Sequence, residues 1–147
     1  MKGRNILLDA TVGVLFSLLV VGAYVTAANY GGLCGVNTPE DWPLCNGNLL
    51  PPPDFGSIIE YTHRILASLS GLLLILTALF FWRANDADRS ARRLILLALL
   101  SILVEIAIGG VVVNTDLAPA VVTLHQAVAL LVFGFTLAAA TISFRKD

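Results

Sequence analysis

Four long stretches of the chain are almost wholly apolar, and polar segments separate them. They run over about Ile6–Ala28, Ile58–Trp82, Leu94–Val113 and Ala120–Phe144. About 20 apolar residues in a row are enough to cross the hydrocarbon core of a bilayer. Because lipid offers no hydrogen bonds to the backbone, each such segment must satisfy its own amides, as a helix does. The pattern predicts an all-α fold: an integral membrane, antiparallel four-helix bundle forming a single domain, residues 1–147.

The composition supports a membrane protein over a water-soluble one. Hydrophobic residues make up 57% of the chain and charged residues only 13%, whereas soluble domains carry about a quarter charged residues. We therefore expect the lipid bilayer to be a partner of this chain, and we expect no nucleic-acid partner. The first apolar stretch is longer than the roughly 7–15 residues of a signal peptide, so we expect an uncleaved first helix.

The basic residues lie almost entirely on one side of the predicted bundle. The segments 29–57 and 114–119 contain no Lys or Arg. Basic residues are enriched in cytoplasmic segments of membrane proteins, so we predict a multi-pass protein of the plasma membrane with both termini in the cytoplasm. Eight basic residues carry this prediction: Lys2, Arg4, Arg83, Arg89, Arg92, Arg93, Arg145 and Lys146.

The predicted outer loop, residues 29–57, is rich in turn-forming residues and contains Trp42, an aromatic suited to the membrane interface. It also holds both cysteines of the chain, Cys34 and Cys45. A disulfide is allowed outside the cytoplasm. The pair is either a structural cross-link or a redox-active dithiol, and its spacing differs from the C-x-x-C of thiol oxidoreductases.

Two histidines lie at matching depths in the second and fourth apolar stretches. His63 follows Ser57 by six residues and His125 follows Pro119 by six, which places both about 8–9 Å below the outer helix ends. Neighbouring helix axes are about 8–10 Å apart, so two imidazoles on diagonal helices have room to hold a haem iron between them. The alternative is that each histidine only hydrogen-bonds a carbonyl, but ionisable groups inside a membrane are costly and usually functional.

Two charged residues accompany the first histidine. Glu60 lies three residues before His63, on the same helix face, and Arg64 follows Glu60 by four. They form either an ion pair that offsets the cost of burial or a working pair, with Glu60 as acid, base or charge stabiliser and Arg64 bound to a haem propionate. Glu105 lies in the third stretch with no charged partner nearby in sequence, so we expect it to contact another helix.

The loop and the helix after it resemble one known family. The segments "EDWPLCNG" and "IEYTHRILASLSG", with "LHQAVALLVFG" in the fourth stretch, are similar to motifs of the haem A synthase family. The resemblance covers nearly the whole chain. It implies an enzyme that oxidises a methyl group of haem O to a formyl group, giving haem A for terminal oxidases. It implies His63 and His125 as axial iron ligands, Glu60 as the acidic residue of the oxidation, and Cys34 and Cys45 as the family's paired cysteines.

The resemblance also implies cofactors and partners. Family members use haem B for electron transfer and bind haem O as substrate, and haem O synthase or a quinone is a possible partner. They usually have eight spans in two similar halves, and this chain resembles the N-terminal half. We therefore expect a homo-oligomer, or one site that serves both haems. Two other functions stay open: a b-type cytochrome that only carries electrons, and a quinone-linked thiol-disulfide oxidoreductase.

Overall fold

Four long helices account for nearly all of the regular structure in the computed structural model, which describes residues 2–35 and 44–145. They are α1 Lys2–Ala27, α2 Phe55–Arg83, α3 Arg89–Asn114 and α4 Pro119–Phe144. All four are long and apolar enough to cross a membrane. The predicted all-α membrane fold is confirmed, and each helix contains the apolar stretch predicted for it except that α1 ends one residue earlier. Trp42 and Lys146 lie outside the described residues.

The helices pack as a ring in chain order. Contacts join α1 to α2, α2 to α3, α3 to α4 and α4 to α1, whereas among the described residues no Cα atoms of the diagonal pairs, α1 with α3 and α2 with α4, lie within 8 Å of each other. The turn between α3 and α4 is tight, and Asp116 and Leu117 adopt left-handed backbone angles in it. The two helices that carry the histidines, α2 and α4, are therefore diagonal to each other.

Local signals define where the helices begin. The carboxylate of Asp54 caps α2 by accepting a hydrogen bond from the Ser57 amide at 2.9 Å. Asp88 caps α3 in the same way through the amides of Ser90 and Ala91. Pro119 occupies the first turn of α4, where its missing N–H costs nothing. The start of α2 matters most, because it sets the depth of Glu60, His63 and Arg64.

We call the end of the bundle that holds the start of α1 and the end of α4 the inner end, and the opposite end, with the cysteine loop, the outer end. The buried apolar core occupies the middle of the bundle and its inner end. One cluster at the inner end includes Leu8, Phe81 and Ile95, and a second near the middle includes Leu74 and Val132. Within the described residues, no comparable apolar cluster continues to the outer end, where the two histidines lie. Large apolar side chains point outward on all four helices, as expected for a surface in contact with lipid. They include Phe16, Leu72, Leu103 and Leu130.

Candidate functional site

The two histidines face the outer part of the bundle from diagonal helices. His63 lies eight residues into α2 and His125 six residues into α4. The predicted equal depth is therefore off by about 3 Å, because α2 begins two residues before Ser57. Both side chains are half-buried, and the two imidazoles are near enough to interact electrostatically. The backbones of α2 and α4 do not touch. A ligand bound by both imidazoles would therefore lie in the interior of the bundle.

Each imidazole packs against a glycine of the preceding helix. A Cβ atom placed on Gly22 of α1 would lie 2.8 Å from Cε1 of His63. A Cβ on Gly109 of α3 would lie 3.2 Å from Cε1 of His125. Both glycines therefore make room for a ring on the neighbouring helix. The α1–α2 and α3–α4 pairs thus present their histidines in the same manner.

The donor set suits a porphyrin better than a bare metal ion. Nδ1 of His63 is buried without an aligned hydrogen bond, although the backbone carbonyl of Leu18 faces the ring. Within residues 2–35 and 44–145, no three His, Cys, Asp or Glu side chains come together as a metal site would require. A haem iron needs only two axial ligands from the protein. Two imidazoles on diagonal helices, each beside a glycine, meet that need.

Glu105 of α3 is a member of this site. Its Oε1 atom lies 3.0 Å from Nδ1 of His125, and its side chain is mostly buried. The distance is that of a hydrogen bond, but the ring N–H is not aligned with the oxygen, and Oε2 has no partner either. Glu105 contacts another helix, as expected. The partner is one of the two histidines, which we did not expect.

Glu60 and Arg64 form a buried ion pair that holds the outer loop. Oε1 of Glu60 accepts a hydrogen bond from Nη2 of Arg64 at 2.6 Å, and Oε2 accepts one from the Cys34 amide at 2.8 Å. The Nη1 atom of Arg64 donates to the Leu44 carbonyl. The predicted ion pair between Glu60 and Arg64 is therefore present. The pair also binds the backbone on both sides of the cysteine cross-link.

Cys34 and Cys45 form a disulfide at the outer end of the bundle. Neither residue has exposed surface. The Asn46 amide donates to the Cys34 carbonyl at 3.1 Å, and the Tyr61 hydroxyl donates to the Leu49 carbonyl at 2.5 Å. The cross-linked loop is thereby fixed to the first two turns of α2, directly beside Glu60.

Sequence reasoning did not identify Gly22 or the partner of Glu105. The partner of Glu105 could have been found by counting residues from the tight α3–α4 turn to Glu105 on one side and to His125 on the other. Glu105 lies nine residues before Asn114, and His125 lies six after Pro119, so their depths differ by only about 4–5 Å. That difference is within reach of a glutamate side chain. For Gly22 no such signal existed, because its neighbour is separated from it by the long outer loop.

This geometry defines a bundle of four membrane-length helices with two histidines on diagonal helices, and comparison with known proteins identifies its family. Residues 54–147 match the cytochrome oxidase assembly protein family, and the chain belongs to that family. The matched part contains Glu60, His63, Glu105 and His125. No solved structure matches the chain significantly.

Curated relatives from bacteria carry the name heme A synthase. The chain is 29% identical to that of Bacillus licheniformis over 147 residues, covering 100% of this chain and 46% of the relative. It is 31% identical to that of an Exiguobacterium species over 93% of this chain and 44% of the relative. It is 35% identical to that of Alkalihalophilus pseudofirmus over 78% of this chain and 37% of the relative. The chain thus spans less than half the length of these relatives.

Proposed function

We propose that this protein takes part in haem A synthesis by oxidising the methyl group of haem O to a formyl group. The observation that carries the proposal is the pair His63 and His125, set on diagonal helices and each packed against a glycine. The family membership and the relatives named heme A synthase support it.

In this proposal, His63 and His125 would hold a haem through its iron. A resident haem B would supply one-electron transfer when bound. The protein contributes the fixed separation of the two imidazoles, the glycines that admit the rings, and the apolar outer surface through which a porphyrin enters from the bilayer. His63 and His125 are the only histidines of the chain. We propose a homo-oligomer in which another copy supplies a second bis-histidine site; the alternative is one site that holds cofactor and substrate in turn.

The proposed reaction converts R–CH3 and water into R–CHO, four protons and four electrons. The formyl oxygen comes from water, and we assign the electrons to membrane quinone, two molecules of which accept all four. Glu60 is the proposed catalytic residue, because it is a buried carboxylate one helical turn before His63. It would stabilise positive charge on the reacting carbon or accept a proton from the attacking water.

Arg64 and the two cysteines have supporting parts in the proposal. Arg64 is the cation next to His63, and we propose that a haem propionate shares its guanidinium with Glu60. Cys34 and Cys45 are either a cross-link that holds the Cys34 amide on Glu60 or a dithiol that is oxidised and reduced during turnover. The absence of exposed surface on both cysteines favours the cross-link.

We further propose that the site faces the outside of the plasma membrane, with both termini in the cytoplasm. The arginines flanking α2 and α3 at the inner end support this orientation. A disulfide at the opposite end fits an oxidising compartment. Haem O synthase, embedded in the same bilayer, is the proposed supplier of the substrate. A reporter that works only in the cytoplasm should therefore be active when fused after Asp147. A reporter that works only outside the cytoplasm should be inactive at the same position.

The experiment is extraction and mass analysis of haems from the purified protein after co-expression with a source of haem O. We expect haem A or its hydroxylated intermediate in the wild type. The control variant is Glu60→Gln, because Gln keeps the size of the side chain and an acceptor for the Cys34 amide. Glu60→Ala would instead leave the buried Arg64 without its carboxylate and confuse a catalytic loss with a structural one.

The outcomes separate the proposal from its rivals. Haem A in the wild type and only haem O in Glu60→Gln would support the synthase function and the role of Glu60. Haem B alone, with haem O unconverted, would replace the proposal by a b-type cytochrome. Thiol oxidation with no bound haem would point to the disulfide oxidoreductase.

A further inference from the structure

The two histidines differ in the group that stands beside each ring. In α3, Glu105 lies four residues before Gly109, and both contact His125. In α1, the residue four before Gly22 is Leu18, and only its backbone carbonyl faces His63. The preceding helix thus gives His125 a carboxylate neighbour and gives His63 a backbone carbonyl.

Within the described residues, the Glu105 carboxylate forms no hydrogen bond or ion pair with any group other than His125. Its Oε1 atom lies 3.0 Å from Nδ1 of His125, and its Oε2 atom is buried without a hydrogen bond. Nδ1 of His125 is likewise buried without an aligned partner. Burying a polar group without a hydrogen bond is costly, so a donor and an acceptor at this distance are expected to pair once the ring is oriented.

We propose that Glu105 is the positioning residue of His125: it accepts a hydrogen bond from Nδ1–H and so leaves Nε2 free to bind iron. This inference rests on the proposed haem ligation by His125. A carboxylate on the far nitrogen of a ligating histidine fixes its tautomer and orientation and makes it a more basic ligand. A more basic ligand favours ferric over ferrous iron, so Glu105 lowers the reduction potential of the haem that His125 holds.

The test compares the wild type with Glu105→Gln and Glu105→Leu, each purified and titrated with haem B. The matched control is Val104→Leu, on the neighbouring, outward-facing position of α3. The readouts are haem affinity, the low-spin signals in electron paramagnetic resonance, and the midpoint potential. Leucine is apolar and suits a membrane helix, so loss of folding is not the expected result, and Gln retains a weaker, neutral acceptor.

We expect Glu105→Leu to lose about 10- to 100-fold in haem affinity, with a raised midpoint potential and shifted low-spin signals. Glu105→Gln should fall between Glu105→Leu and the wild type, and Val104→Leu should match the wild type. Unchanged affinity, potential and signals in Glu105→Leu would overturn this inference while leaving ligation by His125 intact. A wild-type spectrum in His125→Ala would overturn the ligation itself, and this inference with it.

Discussion

The backbone of Gly22 in α1 lies directly against the imidazole of His63 in α2, so that a Cβ at position 22 would sit 2.8 Å from Cε1 of the ring. That separation is shorter than side chains tolerate. The position of His63 therefore depends on a residue 41 places earlier in the chain having no side chain. The same relationship, slightly looser at 3.2 Å, joins Gly109 to His125.

Gly22→Ala should weaken haem binding because the new methyl group displaces the His63 ring. Overpacking of this kind costs about 1–3 kcal/mol, which corresponds to about 5- to 150-fold in Kd. Gly109→Ala should have a smaller effect. Haem titration followed by absorption measures both. Gly13→Ala is the control, because, apart from its chain neighbours and the backbone of its own helix, no atom lies within 4 Å of its added Cβ. Equal affinities in Gly22→Ala and Gly13→Ala would show that the contact does not position His63.

Removing one member of the Glu60–Arg64 pair should destabilise the protein far more than removing both. The pair is buried, and each partner also holds the outer loop. Breaking a buried pair costs about 3–5 kcal/mol, whereas an apolar replacement of both groups is often nearly neutral. We expect Glu60→Leu and Arg64→Met each to lower the unfolding temperature strongly. The unfolding temperature of the double variant should fall by much less than the sum of the two single decreases.

Thermal unfolding in detergent measures this double-mutant cycle. Thr62→Val, at an exposed position on the same turn of α2, should unfold like the wild type. Additive losses in the double variant would mean that Glu60 and Arg64 act independently and that the ion pair does not stabilise the loop.

The Cys34–Cys45 disulfide should resist reduction as long as the protein is folded. Both residues have 0% of their surface exposed, and thiol–disulfide exchange requires an attacking thiolate to reach a sulfur. Mild reductant followed by a maleimide reagent should label neither cysteine in the folded protein and both after denaturation. Removing the cross-link with Cys34→Ser and Cys45→Ser together should cost about 3 kcal/mol for a loop of this length.

A positive control for labelling is Leu49→Cys placed in that cysteine-free background, because position 49 is highly exposed. It should react fully in the folded state. Rapid labelling of Cys34 and Cys45 in the folded wild type would instead favour the redox-active interpretation of the pair.

Acidification should loosen the start of α2 through Asp54. Hydrogen bonds from Ser57 hold the pKa of the Asp54 carboxyl below its ordinary value of 3.8. Because the pKa of Asp54 is lower in the folded than in the unfolded state, its ionised carboxylate stabilises the folded state above pH 3.8. This stabilisation is lost as the pH falls through the pKa of the folded state. Asp54→Asn keeps a capping oxygen but cannot titrate. Unfolding temperatures at decreasing pH should therefore fall more steeply in the wild type; parallel curves would contradict this role.

The sequence by itself determined the four helices, their antiparallel order and the placement of both histidines near the outer helix ends. Long apolar stretches permit only helices in lipid, and a rise of 1.5 Å per residue converts a position such as His63 or His125 into a depth. The Glu60–Arg64 pair was also visible, because a spacing of four residues places two side chains on one helix face. These features are local, so the chain encodes them without reference to its fold.

Only the tertiary structure decided what stands beside each of these residues. Gly22 against His63, Glu105 beside His125 and the Cys34 amide on Glu60 all join separate segments of the chain. Such contacts depend on how far each helix is rotated about its own axis, which a broad apolar pattern leaves undetermined. Packing of the inner core sets those rotations, and with them the neighbours of the two histidines.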